Sequence, residues 1–251
     1  MIKPLFSALR FLTPVPVPGS WAGGERELSR SQWFFPIVGL LIGGVAAAAC
    51  FGLDQVLPPL PASAIVVCVL IAASRGLHMD GLADTADGML SPRPREQILT
   101  IMRDSRTGAM GVVAVVCVIL VKTALFASIA PEGARWKIAL LMPLAGRCTM
   151  VVTMALFPYA RQGGGLATVF VARGASRWLL LAWAPLVLLV GGWLIAGVEG
   201  LVAAAASIAT GLVVGLYCHR RIGGYTGDTL GATNELVECV PALIGALWTW
   251  R

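Results

Sequence analysis

The run WLLLAWAPLVLLVGGWLIAGV (178–198), followed at once by EGLVAAAASIATGLVVGLYC (199–218), decides the fold. Across both stretches Glu199, at the join, is the one residue that carries a formal charge. A helix needs about 20 mainly apolar residues to cross a hydrocarbon core of ~30 Å, and each stretch supplies that length. Gly197-Val198-Glu199-Gly200 between them reads as a short turn, so the pair predicts a helical hairpin inside a bilayer.

Outward from this hairpin, five more apolar stretches of spanning length fall at 33–53, 62–79, 108–130, 137–157 and 231–250. The expected fold is therefore all-α, a polytopic integral membrane bundle of about seven transmembrane helices; six or eight also fit the run lengths. A membrane barrel is excluded because the runs are continuous, whereas barrel strands alternate lipid-facing and lumen-facing residues. With 57% apolar and 13% charged residues, the chain is far from the quarter charged that is usual in soluble domains. The connections are too short to cut out a soluble unit, so residues 1–251 are read as one membrane domain. The first thirty residues lack the order of charged head, apolar stretch and small-residue cleavage site, so no secretion signal is expected. Phe11-Leu-Thr-Pro-Val-Pro-Val-Pro18 is too proline-rich for a regular helix and should lie along the membrane face before Trp33 opens the first span.

The net charge of +6 resolves by position. Lys3, Arg10, Arg26, Arg30, Arg93, Arg95, Arg103, Arg106, Arg161, Arg173, Arg177, Arg220 and Arg221 occupy alternate connections, against Arg135, Lys137 and Arg251 on the other side. The positive-inside rule then puts the amino terminus and the long connections in the cytoplasm, in a multi-pass protein of the inner membrane. Topology accounts for the charge, so no nucleic-acid partner is expected and the bilayer is the expected surrounding. Trp33, Trp178, Trp248 and Trp250 read as interfacial anchors. Six cysteines are scattered singly through apolar segments, without a Cys-x-x-Cys pair, and read as packing residues rather than disulfides or a zinc site.

Chemistry concentrates in three segments on the basic side. Ser74–Gly88 holds Asp80, Asp84 and Asp87 in a chain with only thirteen acids. The i, i+4, i+7 spacing places them within about 60° on one helix face. Left unpaired in mid-bilayer each would cost about 2.5–3.5 kcal/mol, so they are expected to meet water, a cation or both. Hard oxygen ligands without clustered Cys or His favour Mg²⁺, the expected cofactor. A plain polar turn would rarely align all its acids.

The second segment, 101–111, places Arg103 and Arg106 about Asp104, with Ser105, Thr107 and two glycines at a helix start. This composition suits phosphate oxygens, and Asp104 could complete the metal site. The third, 223–238, runs from a glycine loop through Thr226 and Asp228 to Asn234, Glu235 and Glu238, which should point into the bundle to avoid lipid. His78, two residues before Asp80, is a candidate for substrate or water. Arg75, Lys122 and Arg147 lie in or near spans, where they would pair with acids or bind phosphate. The active site is thus expected on the cytoplasmic side, built from 74–111 and 219–238.

In His78-Met-Asp-Gly-Leu-Ala-Asp-Thr-Ala-Asp-Gly88, Arg103-Asp-Ser-Arg-Thr-Gly108 and Gly223-Gly-Tyr-Thr-Gly-Asp228, the chain resembles the cobalamin synthase, or adenosylcobinamide-GDP ribazoletransferase, family. The likeness extends to Phe11-Leu-Thr-Pro14 and Phe35-Pro-Ile-Val-Gly39. It implies a Mg²⁺-dependent membrane enzyme of the last stage of vitamin B12 assembly, joining adenosylcobinamide-GDP to α-ribazole or its 5′-phosphate with release of GMP. Ser74-Arg75 stands where the pattern has Thr-Gly, and Met79 where it has Leu; neither change touches an acid, and both bear on substrate detail.

On this reading Asp80, Asp84, Asp87 and Asp104 hold metal and carry catalysis, and one of them, Asp84 first, takes the hydroxyl proton. His78, Arg103, Ser105, Arg106, Thr226, Asp228, Asn234 and Glu235 bind substrate. The partners are the two substrates and the bilayer, with self-association or a complex with other cobalamin-assembly enzymes left open. Two rivals remain: a membrane phosphotransferase acting on CDP-linked alcohols, which follows its first Asp-Gly with Ala-Arg where this chain has Ala83-Asp84, and a cation or solute carrier, which would need polar residues through the full membrane thickness.

Overall fold

The computed structural model describes residues 2–130, 135–161, 166–171 and 175–249. Arg173, Trp250 and Arg251, to which the sequence assigns topological or anchoring roles, lie outside the described residues.

The described residues are helical, with one isolated bridge between Tyr159 and Tyr225. The helices are α1 Lys3–Leu12, α2 Gly19–Ala22, α3 Glu25–Arg30, α4 Phe35–Leu53, α5 Pro59–Ala73, α6 Leu77–Met89, α7 Arg95–Ile101, α8 Ala109–Ala127, α9 Arg135–Leu156, α10 Ala175–Ile222 and α11 Gly227–Thr249. Five are long and apolar enough to cross a membrane, or six if α5 and α6, bent 90° at their junction, count as one span. α10 is one such unit by helical assignment, yet it breaks at Ala196 (φ −136°) and Gly197 (φ 60°). The backbones of Gly192 and Gly200 meet so closely that neither has room for a Cβ, which requires the two arms to fold back on each other. The expected hairpin at 197–200 is therefore present, and each arm has the length of a crossing.

α9 is the hub. Its side chains are almost all buried, and it packs against α4, α10 and α11. In contrast, α4, α8 and α10 leave leucines and valines exposed around the bundle, the surface that lipid would cover. One end of the bundle is tied by Arg135 to Asp54 (2.7 Å) and by the Ala130 N–H to Thr249 Oγ1 (3.4 Å). At the other end lie α1, α6, α7 and the Tyr159–Tyr225 bridge, whose strand-like bonds run from the Ala160 N–H to Tyr225 O (2.8 Å) and from the Tyr225 N–H to Pro158 O (2.9 Å). This second end carries the basic connections.

The span expected at 62–79 is cut short. α5 stops at Ala73 because Arg75 (φ 56°) and Gly76 (φ 69°) take left-handed backbone, and α6 leaves at a right angle. α6 then lies beside the first turns of α8, with Met79 packed near Val118 and Asp87 on the Gly108 and Gly111 N–H groups. The arginine in this left-handed position is held by its guanidinium, which donates to Arg10 O (3.3 Å) and Phe11 O (3.2 Å) of α1.

Candidate active site

α6 and α11 approach so closely that a Cβ on Gly81 would fall 2.7 Å from Asp228 O, and one on Gly231 would fall 3.0 Å from His78 O. Two glycines thus let the acidic helix lie directly on the start of the last span. Thr226 starts α11 with a reciprocal pair of bonds: the Thr229 N–H donates to Thr226 Oγ1 (3.2 Å) and the Thr226 N–H to Thr229 Oγ1 (2.8 Å). Thr226 is fully buried in this role and also donates to Asp228 Oδ2 (3.3 Å).

Asp228 is paired with Arg161, Nη2 to Oδ2 at 2.5 Å. It shares its surroundings with Asp80 and Asp84 of α6. Partial burial, then the charges of Asp80, Asp228 and Asp87, push the Asp84 carboxyl up from 3.8 to about 6. More negative charge gathers here than Arg161 neutralises.

Asp87 is turned elsewhere. Its carboxylate accepts the Gly108 N–H (2.6 Å) and the Gly111 N–H (2.8 Å), so it docks onto the amino end of α8, where free N–H groups and the helix dipole favour an anion. The three acids of α6 thus divide between two tasks. Among the described residues, no three His, Cys, Asp or Glu side chains stand close enough together to hold a metal ion as they are.

Asp104 forms its own turn at the surface, paired with Arg106 (Nη2 to Oδ2 2.6 Å) and accepting the Arg106 N–H (3.0 Å). Those bonds hold its carboxyl down at about 2. Ser105, Arg106 and Thr107 are exposed around it. Arg103 lies on the wall of a groove of about 280 Å³ with Arg95, Glu96 and Arg161, a net cationic strip that reaches Asp228 through its pair with Arg161.

Asn234 and Glu235, expected to bind substrate, are buried in the bundle interior. Lys122 of α8 donates to Glu235 (2.6 Å) and Glu238 (2.8 Å), and Asn234 Nδ2 to Glu238 (3.0 Å). Arg147 of α9 also binds Glu238, and its Nη2 reaches His78 Nδ1 (3.4 Å). Lys122 and Arg147 balance Glu235 and Glu238, so the network is neutral in total. It locks α6, α8, α9 and α11 together beneath the acidic face.

Two cavities flank Asp80. The wider, about 670 Å³, lies between α6 and α8 and is lined by Arg75, Asp80, Thr107, Val112 and Val116 among others; Val112 and Val116 are about half exposed, so its side is open to lipid. The narrower, about 190 Å³, is lined by Phe11, Phe35, Tyr159 and Phe170, with His78, Asp80, Arg161 and Asp228 also on its wall. Leu77 and Asp80 belong to both. The sequence does not disclose Arg161 or the aromatic wall as one site: Arg161 reads only as a topological charge, and the rings, of which Phe11 and Phe35 open motifs of the likeness, come from four segments that meet through long-range packing.

Fold and site together define an all-α membrane enzyme with a one-sided acidic centre beside cationic grooves, an arrangement suited to phosphate chemistry. Residues 4–246 match the cobalamin-5-phosphate synthase family, and the chain belongs to it. Similar proteins named adenosylcobinamide-GDP ribazoletransferase include those of Chlorobaculum parvum (40% identical, 99% of this chain and 96% of the relative), Acetivibrio thermocellus (37%, 94% and 94%) and Geotalea daltonii (36%, 97% and 98%). No solved structure matches the chain.

Proposed function

We propose that this chain joins adenosylcobinamide-GDP to α-ribazole or its 5′-phosphate and releases GMP. The observation that carries the reading is likeness over nearly the whole chain to proteins named for that transfer. The site supports it in kind. A ribose hydroxyl of the acceptor forms a new P–O bond to the phosphorus nearer the corrinoid. The bond from that phosphorus to the bridging oxygen breaks, GMP leaves with the electron pair, and a carboxylate takes the hydroxyl proton.

Asp80 is best placed for the proton because it faces both cavities, where two substrates would meet; Asp84 stands one turn behind it. Arg161 and Arg103 would bind diphosphate oxygens along the cationic strip. Asp87 acts indirectly, holding α8 against α6 and so shaping the wider cavity. The residues fit Mg²⁺: Asp80, Asp84 and Asp228 share one side of the bundle with Arg161, which pairs with Asp228, and this ion needs only one or two carboxylates alongside water and phosphate oxygens. Asp80 and Asp84, with Asp228 opposite, would hold it, and bound there it would neutralise charge on the diphosphate.

The excess of basic connections at the site's end of the bundle supports a cytoplasmic active site and amino terminus in the inner membrane. Purified protein in lipid, given adenosylcobinamide-GDP, α-ribazole and Mg²⁺, should release GMP in step with corrinoid product. Absence of GMP in that mixture would refute the activity.

A further inference from the structure

We infer that the narrower cavity is the seat of the planar aromatic base of the acceptor nucleoside, with His78 and Arg161, whose Nε2 and Nε are buried without partners, as the donors on its wall. The inference rests on the transfer proposed above and adds the place of one substrate.

Shape comes first. Phe11, Phe35 and Phe170 form a three-ring cluster, with centroids 6.2 Å apart for Phe11–Phe35, 5.2 Å for Phe11–Phe170 and 5.5 Å for Phe35–Phe170. Phe35 and Phe170 are already buried in this cluster, so Phe11 and Tyr159, both half-buried on the cavity wall, are the rings that a flat aromatic guest would meet. The volume of about 190 Å³ equals roughly six waters at ~30 Å³ each, enough for a two-ring base. It lies well below the ~300–1,000 Å³ of pockets that take a whole drug-sized molecule. A corrinoid does not fit here, and the wider groove on the other side of Asp80 is left for it.

Polarity then selects the base. His78 is 2% exposed, and its Nε2 is buried without a partner. Its Nδ1 faces Arg147 Nη2 at 3.4 Å. A guanidinium can only donate, so Nδ1 is the acceptor and the ring hydrogen sits on Nε2. The benzimidazole of ribazole has one free ring nitrogen, an acceptor, which this donor satisfies. Asp80, Arg161 and Asp228 at the polar side of the cavity then meet the ribose and the diphosphate.

The test is steady-state kinetics of GMP release with each substrate varied in turn, beside equilibrium binding of benzimidazole to the protein alone, followed by ligand fluorescence. Ala167, on the cavity wall, is buried. Ala167→Phe should raise KM for α-ribazole at least tenfold and leave KM for adenosylcobinamide-GDP unchanged. His78→Phe should do the same, while His78→Gln, which keeps a donor, should recover much of the loss. If Ala167→Phe fails to accumulate in the membrane, Ala167→Leu and the His78 pair carry the same comparison. Unchanged α-ribazole KM in these variants, or a rise confined to adenosylcobinamide-GDP, would overturn the inference while leaving the transfer intact. If wild-type protein releases no GMP yet binds benzimidazole, and Ala167→Phe abolishes that binding, the cavity assignment stands and the transfer reading falls.

Discussion

At the residue scale, the acids of this chain answer to different neighbours, and their behaviour follows. The folded chain holds the Asp84 proton up to about pH 6, against 3.8 ordinarily. Between those values the folded state binds more protons than the unfolded chain, so stability falls as pH rises through about 4 to 6. Asp84→Asn removes that fall: in buffer free of divalent cations the variant should melt above wild type at pH 8, with the difference vanishing near pH 4. A wild-type melting temperature that stays flat across the window would contradict this placement of Asp84. Lys122 is a different case, fully buried between Glu235 and Glu238. Lys122→Met leaves Glu235 without a cation and Glu238 with Arg147 alone, and should cost about 3–5 kcal/mol of stability. Thermal unfolding in detergent would show it, and a change within experimental error would mean that water reaches the pair.

At the element scale, α6 shows what the sequence can and cannot disclose. The i, i+4, i+7 pattern correctly marks a helix carrying Asp80, Asp84 and Asp87. It does not disclose that Asp87 turns onto the amino end of α8, because that depends on how two helices 20 residues apart come to pack. Nor does apolarity reveal the 90° break after α5, since Ser74-Arg75-Gly76 interrupts the helix without interrupting the hydropathy. Asp87→Ala leaves the Gly108 and Gly111 N–H groups without their anion. By analogy with lost helix caps it should destabilise by about 0.5–2 kcal/mol. Activity should fall through a raised KM for the corrinoid substrate if that substrate occupies the groove between these helices as proposed; a pure kcat defect would instead place Asp87 in the chemistry.

At the scale of the whole molecule, length and hydropathy make the membrane bundle legible, and charge asymmetry makes its sidedness legible. The hairpin of α10 follows from two apolar runs and a glycine-bearing join, and the structure bends there. Long-range convergence is what stays hidden: Phe11 and Phe35 stand in motifs of the family likeness, and Tyr159 and Phe170 in none, yet nothing in the sequence shows that the four share one cavity. The same holds for Asn234 and Glu235, whose polarity in a glycine-led segment reads as substrate contact but which serve Lys122 and Glu238 inside the bundle. The proposed orientation predicts that alkaline phosphatase fused after Arg251 is active and fused after Arg221 is inactive; the reverse pattern would invert the bundle and expose the acidic face to the outside.

Asp80, between the two cavities, is the residue proposed to do chemistry on a substrate phosphate. The decisive measurement is the GMP-release rate of Asp80→Asn at saturating concentrations of both substrates, with folding verified by an unchanged melting profile. The expected rate is about 10²–10⁴-fold below wild type. A folded variant that turns over at the wild-type rate would contradict it.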